Sequence, residues 1–100
     1  MSSIIEKKSK KQILKIKKPP LYNIILHNDD VTTFEFVILI LVEIFNKNHE
    51  EATLLTIQIH EQNKAIVATY PYEIAITKKQ ITDVNSKRNN FPLVCSLEQE

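Results

Sequence analysis

The chain contains no glycine and only one cysteine, Cys95. Without glycine there is no glycine-rich loop to cradle a phosphate, which excludes Walker-type and dinucleotide-binding fingerprints. A lone cysteine allows neither an internal disulfide nor a multi-cysteine zinc site, and it suits a reducing cytosol. Long apolar runs are also missing. The longest, Phe36–Val42, falls far short of the roughly 18 residues that a membrane helix needs. Met1-Ser2-Ser3-Ile4-Ile5 holds too little apolar sequence for a secretory signal, so the cytoplasm is the expected location.

What is there suits one soluble globular domain: 100 residues, 43% hydrophobic and 25% charged. The net charge of +1 hides an asymmetry. Residues 1–18 hold seven lysines against Glu6, a net of +6, which leaves six basic and eleven acidic side chains, a net of −5, on residues 19–100. Residues 1–18 therefore read as a flexible basic extension. Pro19-Pro20 is a stiff boundary, and the domain is expected to span residues 19–100.

The stretch Leu21–Glu35 organises that domain. Tyr22–His27 is aromatic, apolar and β-branched, a strand signal. Asn28-Asp29-Asp30 suits a turn. Thr32-x-x-Glu35 has capping-box spacing, so a helix is expected over about 33–46 with Thr32 as its N-cap. Phe36, Val37, Ile40, Leu41, Ile44 and Phe45 form that helix's apolar stripe. Asn48 is placed to cap a second helix, with Glu50 and Glu51 in its first turn and a stop at Asn63. Its inner face is expected to be Ala52, Leu55 and Ile59, with Thr56 and His60 beside them.

Lys64–Tyr70 alternates weakly and reads as a second strand. A third helix is expected from Pro71 to about Asn90, with Ile74, Ile81 and Val84 inward. Leu93–Leu97 gives a third strand. The order β-α-α-β-α-β predicts an α+β sandwich: a three-stranded antiparallel sheet packed on three helices.

Two carboxylates and a carboxamide at a strand end beside a helix start can hold a small cation, though Asx residues there also simply build turns. His60, at the end of the second helix, is the candidate neighbour. A metal site built from His27, Asp29, Asp30 and His60 lacks tight ligand spacing, and alternating strand side chains turn His27 away from one of its supposed partners. No cofactor or metal is expected. Cys95 reads as core rather than nucleophile, and His49 as a surface residue at a helix start. The lysine extension could bind RNA or anionic lipid, but it lacks interleaved aromatics and reads as a solvated tail.

Pro19-Pro20, Tyr22-Asn-Ile-Ile-Leu-His, Asn28-Asp29-Asp30, Thr32, Glu35-Phe36-Val37, Ala52-Thr53, His60, Lys64-Ala65 and Pro92-Leu93-Val94-Cys95-Ser96-Leu97-Glu98 together resemble the ClpS family over residues 19–100. The resemblance implies a fold similar to the C-terminal domain of the ribosomal stalk protein. It implies a non-enzymatic adaptor that binds the free α-amino group and the large first side chain (Leu, Phe, Tyr or Trp) of N-degron substrates and delivers them to a Clp AAA+ unfoldase.

By resemblance, Asn28, Asp29 and His60 bind the α-amino group. Thr32, Phe34, Val37, Thr56, Ile59 and Leu93 form the hydrophobic pocket. Glu73 and Lys78 dock on the N-terminal domain of the ATPase. The α-amino group is a cation near neutral pH, with a reference pKa of about 7.7–8.0. Protonating His60 would remove an acceptor and weaken binding. No nucleic-acid or membrane partner is expected, and the chain is expected to be monomeric.

The chain departs from the family pattern at several positions. Phe34 stands for the usual Met at the pocket gate, and Thr56 for an apolar residue. Thr33 replaces a Pro at the first helical position, Val31 an aromatic, Asn63 a Gly and Ile76 a charged residue. A stalk-like interaction domain without N-degron specificity is the alternative reading.

Overall fold

The computed structural model describes residues 19–100. The extension expected over residues 1–18 lies outside them. The element order is β1 (Leu21–His27), α1 (Phe34–Glu43), α2 (His49–Gln62), β2 (Lys64–Pro71), α3 (Tyr72–Arg88) and β3 (Val94–Gln99). The strands form one antiparallel sheet in the order β2-β1-β3, so the most apolar strand is the central one. Ile24 and Leu26 of β1 are wholly buried in the core, and Phe36, Val37, Ile40, Leu41, Ile44 and Phe45 join them there.

The weak alternation of β2 has a structural cause. Ile24 pairs with Ala68 and Ile25 with Ile66, so Val67 is an extra residue in the ladder. This bulge lets Val67 be buried while Ala68 and Tyr70 also pack on the core.

The helix ends follow local chemistry. Thr33, not Thr32, is the N-cap of α1, and its hydroxyl accepts from Phe36 N at 3.2 Å. The Thr32 side chain is turned the other way, its hydroxyl donating to Asp29 Oδ2. Thr33 therefore precedes the first helical residue instead of occupying that position. The helix ends at Glu43 rather than Asn46, and Asn46 takes a left-handed φ of 57°. Asn48 caps α2 by accepting from Glu51 N at 2.8 Å. Asn63 closes α2 with a φ of 71°. Asn90, at a φ of 61°, is the third such residue. Asparagine tolerates this region better than other residues with a Cβ, and here it does what glycine would otherwise do.

The face of α3 differs from expectation. Ile74, Ile81 and Val84 point outward and are exposed, while Ala75, Thr82 and Ser86 are buried against the sheet. Small side chains let the helix lie close to the strands. The two buried hydroxyls cost no unsatisfied group: Thr82 donates to Lys78 O and Ser86 to Thr82 O, both at 2.8 Å. The helix also stops at Arg88, two residues before the expected Asn90.

Candidate functional site

The site forms where β1 runs out. Asn28 N donates to Asn63 O at 2.7 Å, so the left-handed cap of α2 ties that helix's end to the turn after β1. That bond, next to the pairing of His27 with Lys64, sets His60, in the last turn of α2, at the same corner as Asn28-Asp29-Asp30. The turn itself is built by Asp29. Its Oδ1 accepts from Val31 N at 2.8 Å and from Thr32 N at 2.6 Å, and its Oδ2 accepts from the Thr32 hydroxyl at 2.7 Å. Burial alone would raise the Asp29 pKa. The hydrogen bonds from the backbone and hydroxyl of Thr32 and the backbone of Val31 outweigh it and hold the carboxyl below its ordinary value of 3.8. Asp29 is therefore an anion at neutral pH.

A cavity opens between this turn, α1 and α2. Its walls are His27, Asn28, Asp29, Thr32, Phe34, Val37, Thr56, Ile59 and Leu93. The structure thus brings all six side chains of the expected apolar pocket together with two of the three expected amino-group ligands. The third, His60, stands at the rim. Its ring meets Phe34 edge-on, with centroids 5.2 Å apart and planes at 69°. The interior wall is firm, since Val37, Thr56, Ile59 and Leu93 are each at most 6% exposed. Thr56 is satisfied internally, its hydroxyl donating to Ala52 O at 2.7 Å. The cavity itself is small, about 10 Å³.

His27 lines this cavity as well, a place that its reading as a possible metal ligand did not anticipate. Its Nε2 lies 2.7 Å from the Ser96 hydroxyl on β3. The signal for it was position: it is the last strand residue before Asn28. Asp30 is exposed within the turn. Among the described residues, no three His, Cys, Asp or Glu side chains are grouped to hold a metal ion. Cys95 is a core residue. Burial pushes its thiol up to about 12, with Asp83 adding to the rise and Lys79 opposing it, so it is no thiolate at neutral pH.

Glu73 and Lys78 do not share one face. They are five residues apart on α3, roughly 140° around the helix. Glu73 is exposed. Lys78 turns towards α1, where its ammonium donates to Ile44 O at 2.6 Å and lies 5.5 Å from the Tyr70 ring centre. Ile74, Ile81 and Val84 give the exposed side of α3 an apolar stripe.

Residues 17–96 match the family model described as "ATP-dependent Clp protease adaptor protein ClpS". The chain belongs to the ClpS family. It is 45% identical over 89 residues to the ATP-dependent Clp protease adapter protein ClpS of Vibrio atlanticus, a match covering 89% of this chain and 84% of that protein. The ClpS of Clostridium acetobutylicum is 46% identical over 83 residues, covering 83% and 82% of the two chains. The ClpS of Myxococcus xanthus is 38% identical over 99 residues, covering 99% and 91%. Among solved structures, ClpS2 of Agrobacterium tumefaciens bound to L-phenylalaninamide superposes with a TM-score of 0.80 at 31% identity, covering 83% of this chain and all of that one. The ClpS fold is the β-α-α-β-α-β sandwich described above. The chain is thus an adaptor of the Clp protease, acting in protein degradation. Among the described residues, no helix is long and apolar enough to cross a membrane.

Proposed function

We propose that this ClpS chain grips the first residue of N-degron substrates and hands them to a Clp AAA+ unfoldase, without catalysing any reaction, in the cytoplasm. The observation that carries this reading is the joining of an ionised Asp29 to an apolar slot in one cavity. A free α-amino group is a cation with three N–H donors. Asp29 supplies a charge-assisted acceptor, worth roughly 1.5–3 kcal/mol. Asn28 adds a carboxamide oxygen, and His60 adds a ring nitrogen while it is unprotonated. An internal peptide bond has no ammonium to offer, so the site reads a chain end. Phe34, Val37, Thr56, Ile59 and Leu93, with Thr32, receive the first side chain. Burying a leucine or phenylalanine there contributes roughly 1.5–3 kcal/mol, which separates large first residues from small ones. The Agrobacterium relative bound to phenylalaninamide supports the reading, because that ligand combines a free amine with a benzyl group.

The docking face for the ATPase's N-terminal domain is the outward side of α3, with Glu73 beside the exposed Ile74 and Ile81. Lys78 lies on another face of α3, turned towards α1, and keeps donor capacity after its bond to Ile44 O. The chain acts as a monomer.

Fluorescence anisotropy with peptides differing only at the first residue tests the reading. Free Leu, Phe, Tyr and Trp peptides should bind, Ala should bind weakly, and an acetylated Leu peptide should not bind. Asp29→Ala should abolish binding in a protein that still melts cooperatively. Glu73→Ala should spare peptide binding and weaken capture of the isolated N-terminal domain of a Clp ATPase. If acetylated and free Leu peptides bind alike, recognition of the amino group is refuted.

A further inference from the structure

The acidity of the domain is concentrated on two helices. α1 and α2 carry Glu35, Glu43, Glu50, Glu51 and Glu61 and no lysine or arginine, whereas α3 carries four basic side chains against Glu73 and Asp83. Along α2, Glu50, Leu54, Ile57 and Glu61 are all exposed. Steps of four, three and four residues put them in one stripe, opposite Ala52 and Ile59, which face the core. An apolar centre between two anionic ends is thus turned to solvent. Leu54 is 64% exposed, more than any other large apolar side chain among the described residues. The segment that precedes the domain has the complementary composition. Residues 1–18 carry a net charge of +6, and Ile13, Leu14 and Ile16 stand between Lys10-Lys11 and Lys17-Lys18. Eighteen extended residues reach about 60 Å. β1 and α2 laid end to end are about 45 Å long, so the whole stripe is within reach of Pro19. The apolar stripe of α3 is the poorer match, because Lys87 and Arg88 beside it repel a lysine-rich segment.

We propose that residues 10–18 dock along this stripe of α2 in the same molecule, Ile13, Leu14 and Ile16 over Leu54 and Ile57, and the flanking lysines beside Glu50 and Glu61. The inference is independent of the N-degron reading above. Exposed ion pairs are individually weak and are screened by salt. The covalent link offsets that weakness, since a tethered segment meets its own domain at an effective concentration in the millimolar range. The stripe ends at Glu61, next to His60 at the rim of the cavity, so the docked segment runs along the helix that forms one wall of the site. The basic extension is then stored on the domain and is released where a stronger anion takes its lysines.

Paramagnetic broadening in the full chain tests this. A nitroxide is attached at Gln12→Cys. Cys95 is buried and its thiol is pushed up to about 12, so only the new thiol reacts. In dilute buffer the amides of residues 54–61 should lose more than half of their intensity, while those of residues 81–88 on α3 keep theirs. Salt at about 1 M, where the screening length falls to about 3 Å, should restore the α2 signals. Glu50→Lys with Glu61→Lys should abolish the broadening, Lys10→Glu with Lys17→Glu should do the same, and all four together should bring it back. The tail reversal lies outside the folded domain, so its result stands even if the α2 variant misfolds. Sharp α2 signals in dilute buffer, or broadening confined to α3, overturn the docking. Broadening that survives the tail reversal overturns the pairing of charges. A mixture of spin-labelled protein without isotope and isotope-enriched protein without label separates the two possible sources of the tail. Broadening in that mixture as strong as in the doubly tagged chain makes a second copy the occupant and overturns docking within one molecule.

Discussion

A carboxylate has roughly four acceptor positions. Asp29 spends three of them on Val31 N, Thr32 N and the Thr32 hydroxyl, which leaves one for a ligand. Building the turn and binding a cation are therefore not competing readings of this residue, because the bonds that fold the turn also keep it ionised. The sign of the pH effect follows. A pKa depressed in the folded state gives stability that is present above the unfolded value and lost as pH falls through the folded one. Asp29→Asn should lower the melting temperature by a few degrees at neutral pH, for a lost hydrogen bond of roughly 1 kcal/mol. The gap from wild type should close as the pH drops below the ordinary carboxyl value of 3.8. Thermal melts of both proteins from pH 7 to pH 2.5 check this, and a gap that persists at the acid end would mean the carboxylate's charge is not its source. The residues around Asp29 were legible in the sequence because their chemistry is tied to adjacent positions. The edge-on meeting of Phe34 and His60 was not, since it depends on side-chain rotation across two helices.

At the scale of elements, α1 was readable because its apolar stripe is long and periodic. Its cap was misplaced by one residue. Thr32 and Thr33 are both good caps, and only the folded turn reveals that the Thr32 side chain is turned to Asp29 while that of Thr33 accepts from Phe36 N. The face of α3 was misread for a different reason. Large apolar residues are normally inward, but a helix lying flat on a sheet buries its small ones, Ala75, Thr82 and Ser86. Lys78 links these two helices. Its ammonium meets the carbonyl of Ile44, the C-cap of α1, where cations are favoured by the helix dipole. Lys78→Met keeps the length of the stem and removes the donor. It should destabilise the fold by about 1–3 kcal/mol, with Lys78→Arg recovering part of the loss. Urea unfolding of the three proteins measures this, and an unchanged midpoint for Lys78→Met would leave the bond without energetic weight.

Over the whole molecule, three strands and three helices in this order were visible in the periodicity, but the neighbours of each strand were not. Long-range pairing is set by the packing of the layers, and it puts β1 in the middle, with β2 and β3 antiparallel to it on either side. That arrangement has a mechanical consequence. Pro19 enters at one end of β1, and Asn63, bonded to Asn28, sits at the other. Tension applied between Pro19 and Asn63 slides β1 along β2, so the hydrogen bonds that lie across the strands are loaded together. Tension between Pro19 and Glu100 behaves differently. Glu100 N already bonds to Leu21 O at 2.9 Å, so those two ends are adjacent and β3 peels from β1 one bond at a time. Single-molecule pulling through these two pairs of attachment points should give a clearly higher rupture force for Pro19–Asn63. Equal forces would show that the central strand does not carry the load. The domain is expected to be a stiff anchor in one direction and a zipper in the other.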